Sequence, residues 1–255
     1  MSAEDILSKP PPPPDARIAY GSDPHQFGEL RLPKAAGSPP LALMIHGGFW
    51  REKYNLMHAG HLCAALTKAG VATLNIEYRR VGNPGGGWPG SLHDIEAAFQ
   101  FISATAKDKR LDLDRVVVLG HSAGGQLALA LAARHPSLRG MVALAPVSDL
   151  RNAYDHHLSN DAVVEFLGGP PSEAPDAYAE ASPVELPISI PQVIIHGSHD
   201  DTVPIEMSRS YLETKTNRGE NVRLVELDCG HFELIDPSSK AWPYVRQTVL
   251  ELLEP

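Results

Sequence analysis

Ser122, His231 and two adjacent carboxylates, Asp200 and Asp201, are the residues of this chain whose types and order suit acyl transfer. A serine hydroxyl is a weak nucleophile until a base takes its proton, and a histidine serves as that base when a carboxylate holds its ring. Ser122 stands in Gly120-His121-Ser122-Ala123-Gly124, a G-x-S-x-G pattern between the apolar run Val116 to Leu119 and the strong helix formers Gln126 to Ala133. A buried strand must therefore turn sharply into a helix at the serine. Glycines two residues to either side remove the Cβ atoms that would collide as strand and helix approach. The turn lifts the hydroxyl above the sheet, beside the first turn of a helix whose free N–H groups favour negative charge.

The partners should follow in the order serine, acid, histidine. Gln192 to Pro204 reads as a buried strand ending in a turn that bears Asp200 and Asp201, and Val222 to Phe232 as an alternating strand running into a loop that bears His231. Both loops lie beyond the C-terminal ends of strands, the edge at which open α/β sheets bind ligands. His231 has eleven rivals among the twelve histidines. His46 and His196 each follow an apolar strand and precede a glycine, which suits loop-shaping rings that bond backbone. His121 lies inside the elbow and is expected to point away from the serine. His58, His61, His156 and His157 fall in helical or loop stretches where solvated or capping roles are ordinary. His231 alone comes after the acid, in a glycine-preceded loop. One residue of displacement reverses a side chain, so Asp200 and Asp201 remain alternatives on this argument.

A fourth element must present backbone N–H donors to the oxygen that gains charge, each worth roughly 3 kcal/mol of barrier. Leu41 to Ile45 form a buried strand, and His46-Gly47-Gly48-Phe49-Trp50 follow as a loop that two glycines allow to turn its amides inward. The expected donors are the N–H groups of Gly48 and Phe49, with that of Ala123 after the serine. Trp50 and Trp88 are candidates for lining an acyl or aryl pocket, with ordinary packing as the alternative for each.

These residues need a scaffold of alternating strands and helices. Strands are expected near 17–20, 26–32, 41–45, 71–76, 116–119, 141–145, 192–196 and 222–227. Helices are expected near 54–69, 91–105, 123–134, 161–167, 205–218 and 239–253. That alternation predicts an α/β fold with a mostly parallel eight-stranded sheet and helices on both faces. The first two strands lie too close for a helical crossover and should form an antiparallel edge. Residues 1–16, with the run Pro10 to Pro14, read as a stiff polyproline leader, and 17–255 as one catalytic domain. The proline-rich, irregular stretch at about 148–186 should form a short cap.

Net charge is 22 − 31 = −9 with no basic run, which disfavours nucleic acid and anionic membranes as partners. The two cysteines, Cys63 and Cys229, form neither a disulfide framework nor a metal site. No cofactor and no metal are called for, and the expected partner is a small-molecule substrate. A homodimer is compatible with these features. The acidic amino terminus lacks a signal-type apolar core, and no apolar run reaches membrane-spanning length, so a cytoplasmic location is expected.

Three motifs extend the reading. His46-Gly47-Gly48-Phe49-Trp50 resembles the H-G-G-x-W signature of kynurenine formamidases and their bacterial carboxylesterase relatives in the α/β-hydrolase superfamily. Tyr20 to Pro33 is similar to the entry strands of that group, and Gly120 to Gly125, G-H-S-A-G-G, fits its elbow. The likeness runs from about Tyr20 to the C-terminus, although Phe49 stands where those formamidases often carry tyrosine. H-G-x-x-D-x-x-V-P, from His196 to Pro204, resembles the acid loop of serine hydrolases related to prolyl oligopeptidases, and that resemblance implies Asp200 as the triad acid. Together the resemblances imply an α/β-hydrolase fold and hydrolysis of small esters or aryl formamides. A small serine peptidase and a non-catalytic ligand-binding protein of the same fold are the alternatives. The peptidases that share the acid loop usually carry a large propeller domain, for which this chain has no room. A receptor would tend to lose a triad member.

Overall fold

The apolar runs form one twisted sheet whose strands β3 to β8 are parallel, because helical crossovers separate them in the chain. A computed structural model describes residues 3–34 and 37–254. The strands are β1 (Ala16–Ala19), β2 (Phe27–Arg31), β3 (Pro40–Ile45), β4 (Ala72–Ile76), β5 (Asp112–His121), β6 (Gly140–Leu144), β7 (Gln192–Gly197) and β8 (Val222–Leu227), in the spatial order β1-β2-β4-β3-β5-β6-β7-β8. The link between β1 and β2 is too short for a crossover helix, and β2 pairs antiparallel with both β1 and β4. The predicted antiparallel edge is thus present.

Helices cover both faces: α1 (Gly60–Lys68), α2 (Gly90–Lys109), α3 (Ala123–Arg134), α4 (Leu150–Asp155), α5 (Ala162–Leu167), α6 (Pro175–Ala181), α7 (Ile205–Asn217) and α8 (Trp242–Leu253). The two-residue period of β3 divides the core. Leu41, Leu43 and Ile45 pack on one face with Ile95 of α2 and Leu127 of α3. Ala42 and Met44 pack on the other with Leu62 of α1 and Val245 of α8. Burying both faces requires strands that are apolar throughout, and β4 and β6 are buried at every position.

In the stretch at about 148–186, α5 stands where a helix was expected over 161–167, and α4 and α6 are two further short helices where irregular chain was expected. Local capping sets α4 and α6: the Asp149 side chain accepts from the amides of Arg151 and Asn152 at the start of α4, and Pro175 occupies the first turn of α6. The helix expected over 54–69 starts only at Gly60, after a 3-10 turn Leu56–Ala59 whose N-cap Asn55 bonds the Met57 amide. The leader is not merely extended. Ala3–Leu7 form a 3-10 turn, and Ile6 is buried against α1 and the residues after β8. No helix among the described residues is long and apolar enough to cross a membrane.

Candidate active site

β5 delivers Ser122 to the C-terminal edge of the sheet on a strained turn. The Ser122 backbone has φ 57° and ψ −122°, a left-handed conformation that a non-glycine residue keeps only when its surroundings enforce it. Its amide donates to Leu144 O at 2.8 Å. The flanking glycines are required by space: a Cβ on Gly120 would lie 2.1 Å from Gly124 O, and one on Gly124 would lie 2.2 Å from Ile45 O. Strand, elbow and helix α3 can therefore close up only with hydrogen at both positions.

Asp200 follows β7 and His231 follows β8, and the parallel register of these strands brings the two loops together. His231 Nδ1 donates to Asp200 Oδ2 at 2.6 Å, with both side chains buried. The other carboxylate oxygen of Asp200 accepts from the amides of Thr202 and Val203 at 2.9 and 2.8 Å. His196 Nε2 lies 3.1 Å from Asp200 Oδ2 and 2.9 Å from Val203 O, with its Nδ1 bonded to the Ser208 hydroxyl. Burial acts to raise the Asp200 pKa. Hydrogen bonds from His196 and His231 outweigh it and hold the carboxyl well below the usual carboxylate range. Asp201 is exposed and, among the described residues, accepts only from the Thr202 hydroxyl, at 3.3 Å. Of the two candidate acids, Asp200 is the one in contact with His231.

Ser122 and His231 line a single cavity of about 360 Å³, together with Gly48, Phe49, Tyr54 and His58. No Ser122–His231 hydrogen bond forms among the described residues; a hydrogen bond between a nucleophile and its base is often long until a substrate is bound. The loop after β3 enters the cavity with Gly48 at φ 114° and Phe49 at φ 48°. Among the described residues, no acceptor is found for the N–H groups of Gly48, Phe49 or Ala123. The loop is braced from behind by a buried polar cluster. His46 Nδ1 lies 2.8 Å from Gly47 O and its Nε2 3.0 Å from Glu77 Oε1, while the Tyr78 hydroxyl donates to His46 O at 3.0 Å. Arg80 pairs with the same Glu77 oxygen and donates to Tyr54 O. Burial opposes the charge on Glu77, but His46 and Arg80 keep its pKa low. Glu77 and Arg80 went unrecognised in the sequence because a carboxylate after a buried strand becomes informative only when its partners are known.

Two expectations about this site are corrected. Trp50 does not line the cavity: its ring is 1 % exposed and stacks on Phe166 with centroids 4.4 Å apart, and its indole N–H bonds Gln126 Oε1 at 3.0 Å. Trp88 also packs on Phe166, edge to face at 6.0 Å, and is likewise outside the cavity. Both tryptophans pack on Phe166 of α5. His121, expected to point away, lines the cavity: its ring sits 4.4 Å from that of His231, and its Nε2 donates to His231 O at 3.2 Å. Burial pushes the pKa of His121 well below the ordinary value and that of His58 down to about 3, so both rings are neutral. Among the described residues, no group of three or more His, Cys, Asp or Glu is placed to hold a metal ion.

A parallel sheet covered on both faces, a serine on a strained strand-to-helix turn, and an aspartate and a histidine on the loops after the last two strands define an α/β-hydrolase. Residues 29–215 match the BD-FAE family, and the chain belongs to it. Esterase LipC of Mycobacterium tuberculosis is 26% identical over 252 residues, covering 86% of this chain and 60% of LipC. Esterase LipQ of the same organism is 27% identical over 210 residues, covering 75% of this chain and 49% of LipQ. A kynurenine formamidase of Meyerozyma guilliermondii is 28% identical over 113 residues, covering 44% of this chain and 40% of that enzyme. The chain spans about half the length of the curated relatives it matches. Among solved structures, a truncated carbohydrate esterase from gut microbiota superposes with a TM-score of 0.82 at 20% identity, covering 96% of this chain and 99% of its own. Esterase B of Lactobacillus rhamnosis gives a TM-score of 0.80 at 18% identity, covering 98% and 89%. At such identities the likeness is one of fold.

Proposed function

We propose that the protein is a serine hydrolase that cleaves small carboxylic esters through an acyl-enzyme intermediate. The observation that carries this reading is the 2.6 Å bond from His231 to Asp200 at the wall of a cavity that Ser122 also lines, next to amides without acceptors. His231 Nε2 takes the proton from Ser122 Oγ as the oxygen bonds the ester carbonyl carbon, and the N–H groups of Gly48, Phe49 and Ala123 hold the resulting oxyanion. Asp200 stabilises the imidazolium, which then protonates the departing alcohol as the C–O bond breaks. Water, deprotonated by the same histidine, attacks the acyl-enzyme, and the proton returns to Ser122 as the acid leaves.

The cavity volume, near the lower end for ligand sites, favours short substrates. Esterases among the relatives support ester hydrolysis, and the formamidase relative, with the H-G-G-F-W loop, favours aryl formamides as a second reading. The test is kcat/KM for p-nitrophenyl acetate and for N-formyl-L-kynurenine with the wild-type protein and Ser122→Ala. Ester turnover that falls by about 10⁴ or more in a folded Ser122→Ala variant supports the mechanism, and near-normal turnover overturns it. A wild-type preference for the formamide would move the substrate assignment to the second reading.

A further inference from the structure

Leu7, in the leader, lines the same cavity as Ser122 and His231 although more than a hundred residues separate it from either. The leader that carries it is docked at several points. Ile6 is 5 % exposed and packs in a cluster with Ala59 and Leu62 on one side and Leu234 and Ile235 on the other. The 3-10 turn closes through the amides of Ser8 and Lys9, which donate to Asp5 O at 3.2 and 3.1 Å. His61 Nε2 donates to Lys9 O at 3.1 Å, and Arg31 Nη2 to Pro12 O at 2.9 Å. Pro11 seats against Gly60, where a Cβ would fall 2.7 Å from the proline ring. The proline run has few conformations to lose on docking, so these contacts hold Leu7 at a set distance from the sheet at little entropic cost.

The cavity wall is chemically divided. Tyr54, His58, Ser159 and Thr202 present polar groups, whereas Leu7, Phe49 and Phe232 are apolar. Phe232 directly follows His231, with ring centroids 5.1 Å apart. Leu7 thus supplies part of the apolar wall of the cavity that Ser122 and His231 also line, and the leader lies outside the residues that match the family.

We propose that Leu7, held by the docked leader, is a specificity-determining residue that limits the length of the aliphatic part of the substrate. The inference rests on the proposed ester hydrolysis at Ser122 and adds to it the element that selects among esters. Removing three carbons from the wall makes room for added methylenes of substrate, and enlarging the side chain takes room away. A methylene accepted or refused by such a wall changes kcat/KM by about tenfold.

The experiment compares Leu7→Ala, Leu7→Trp and the wild-type chain on two series: p-nitrophenyl acetate to octanoate, which lengthens the acyl group, and ethyl to octyl acetate, which lengthens the alcohol. In the series whose chain meets Leu7, the long-to-short ratio of kcat/KM should rise about tenfold in Leu7→Ala and fall by a similar factor in Leu7→Trp. Opposite shifts from one position would not come from a general loss of folding, which lowers long and short esters alike. An active wild type whose ratios move by less than about twofold in both variants and both series overturns this inference alone. A wild type inert to every ester overturns the proposed function and this inference with it.

Discussion

Asp200 and Asp201 are neighbours in the chain, yet only Asp200 reaches His231, through a 2.6 Å bond made inside the protein while Asp201 faces solvent. The turn after β7 creates the difference. Asp200 Oδ1 binds the amides of Thr202 and Val203, which rotates the carboxylate inward and leaves Oδ2 for the histidine.

Asp200→Asn should lower kcat by on the order of 10³ to 10⁴, because the amide no longer fixes the Nδ1–H tautomer or stabilises the imidazolium. Asp201→Asn should leave kcat within about twofold, as expected for an exposed carboxylate. Steady-state kinetics on both variants check the pair, and a larger loss in Asp201→Asn would reverse the assignment.

His58 and His121 should make stability fall as the pH drops below neutrality. Burial depresses both folded pKa values, His58 to about 3, whereas a histidine in the unfolded chain titrates near 6.5. Below about pH 6.5 the unfolded state binds protons that the folded state refuses, so the stabilisation is complete above that pH and declines as the pH falls, for His58 down to about pH 3, by up to about 1.4 kcal/mol per pH unit per histidine. Asp200 and Glu77 act only below about pH 4, where unfolded carboxylates protonate. Urea midpoints at pH 7 and pH 5 should therefore differ more in the wild type than in His58→Gln, and equal differences would contradict the neutral assignment.

Gly124→Ala should damage both stability and activity. Its Cβ would meet Ile45 O at 2.2 Å and His46 O at 2.4 Å, backbone atoms that cannot swing aside. Overpacking of this kind costs about 1 to 3 kcal/mol or more, and relief of the clash must move either the elbow or the loop of Gly48. Calorimetry should show a lower Tm, and ester turnover should fall even in the folded fraction.

Trp50→Phe separates packing from substrate contact. It leaves Gln126 Oε1 buried without its donor, which costs about 1 to 3 kcal/mol, but it does not touch the cavity wall. The Tm should drop while the preference among esters stays that of the wild type. A changed preference with unchanged Tm would return Trp50 to the substrate pocket.

Much of the fold was legible because burying both faces of a sheet imposes apolar runs, and crossovers impose helical stretches between them. β4, β6 and β7 stand where those runs predicted them. The helices α4 and α6 escaped the periodicity because they span fewer than two turns each and are set by capping at Asp149 and Pro175.

The chain order of serine, acid and histidine, and the glycines that let the elbow close, belong to the sequence by itself. They express local steric and propensity rules that act over a few residues. Which of two adjacent carboxylates meets His231, that Trp50 packs inward while Leu7 comes to the cavity, and that His121 lies against His231 were decided by tertiary structure. Those relationships join segments well separated along the chain. They depend on the direction in which a side chain leaves a loop, which neighbouring segments, not the local residues, determine.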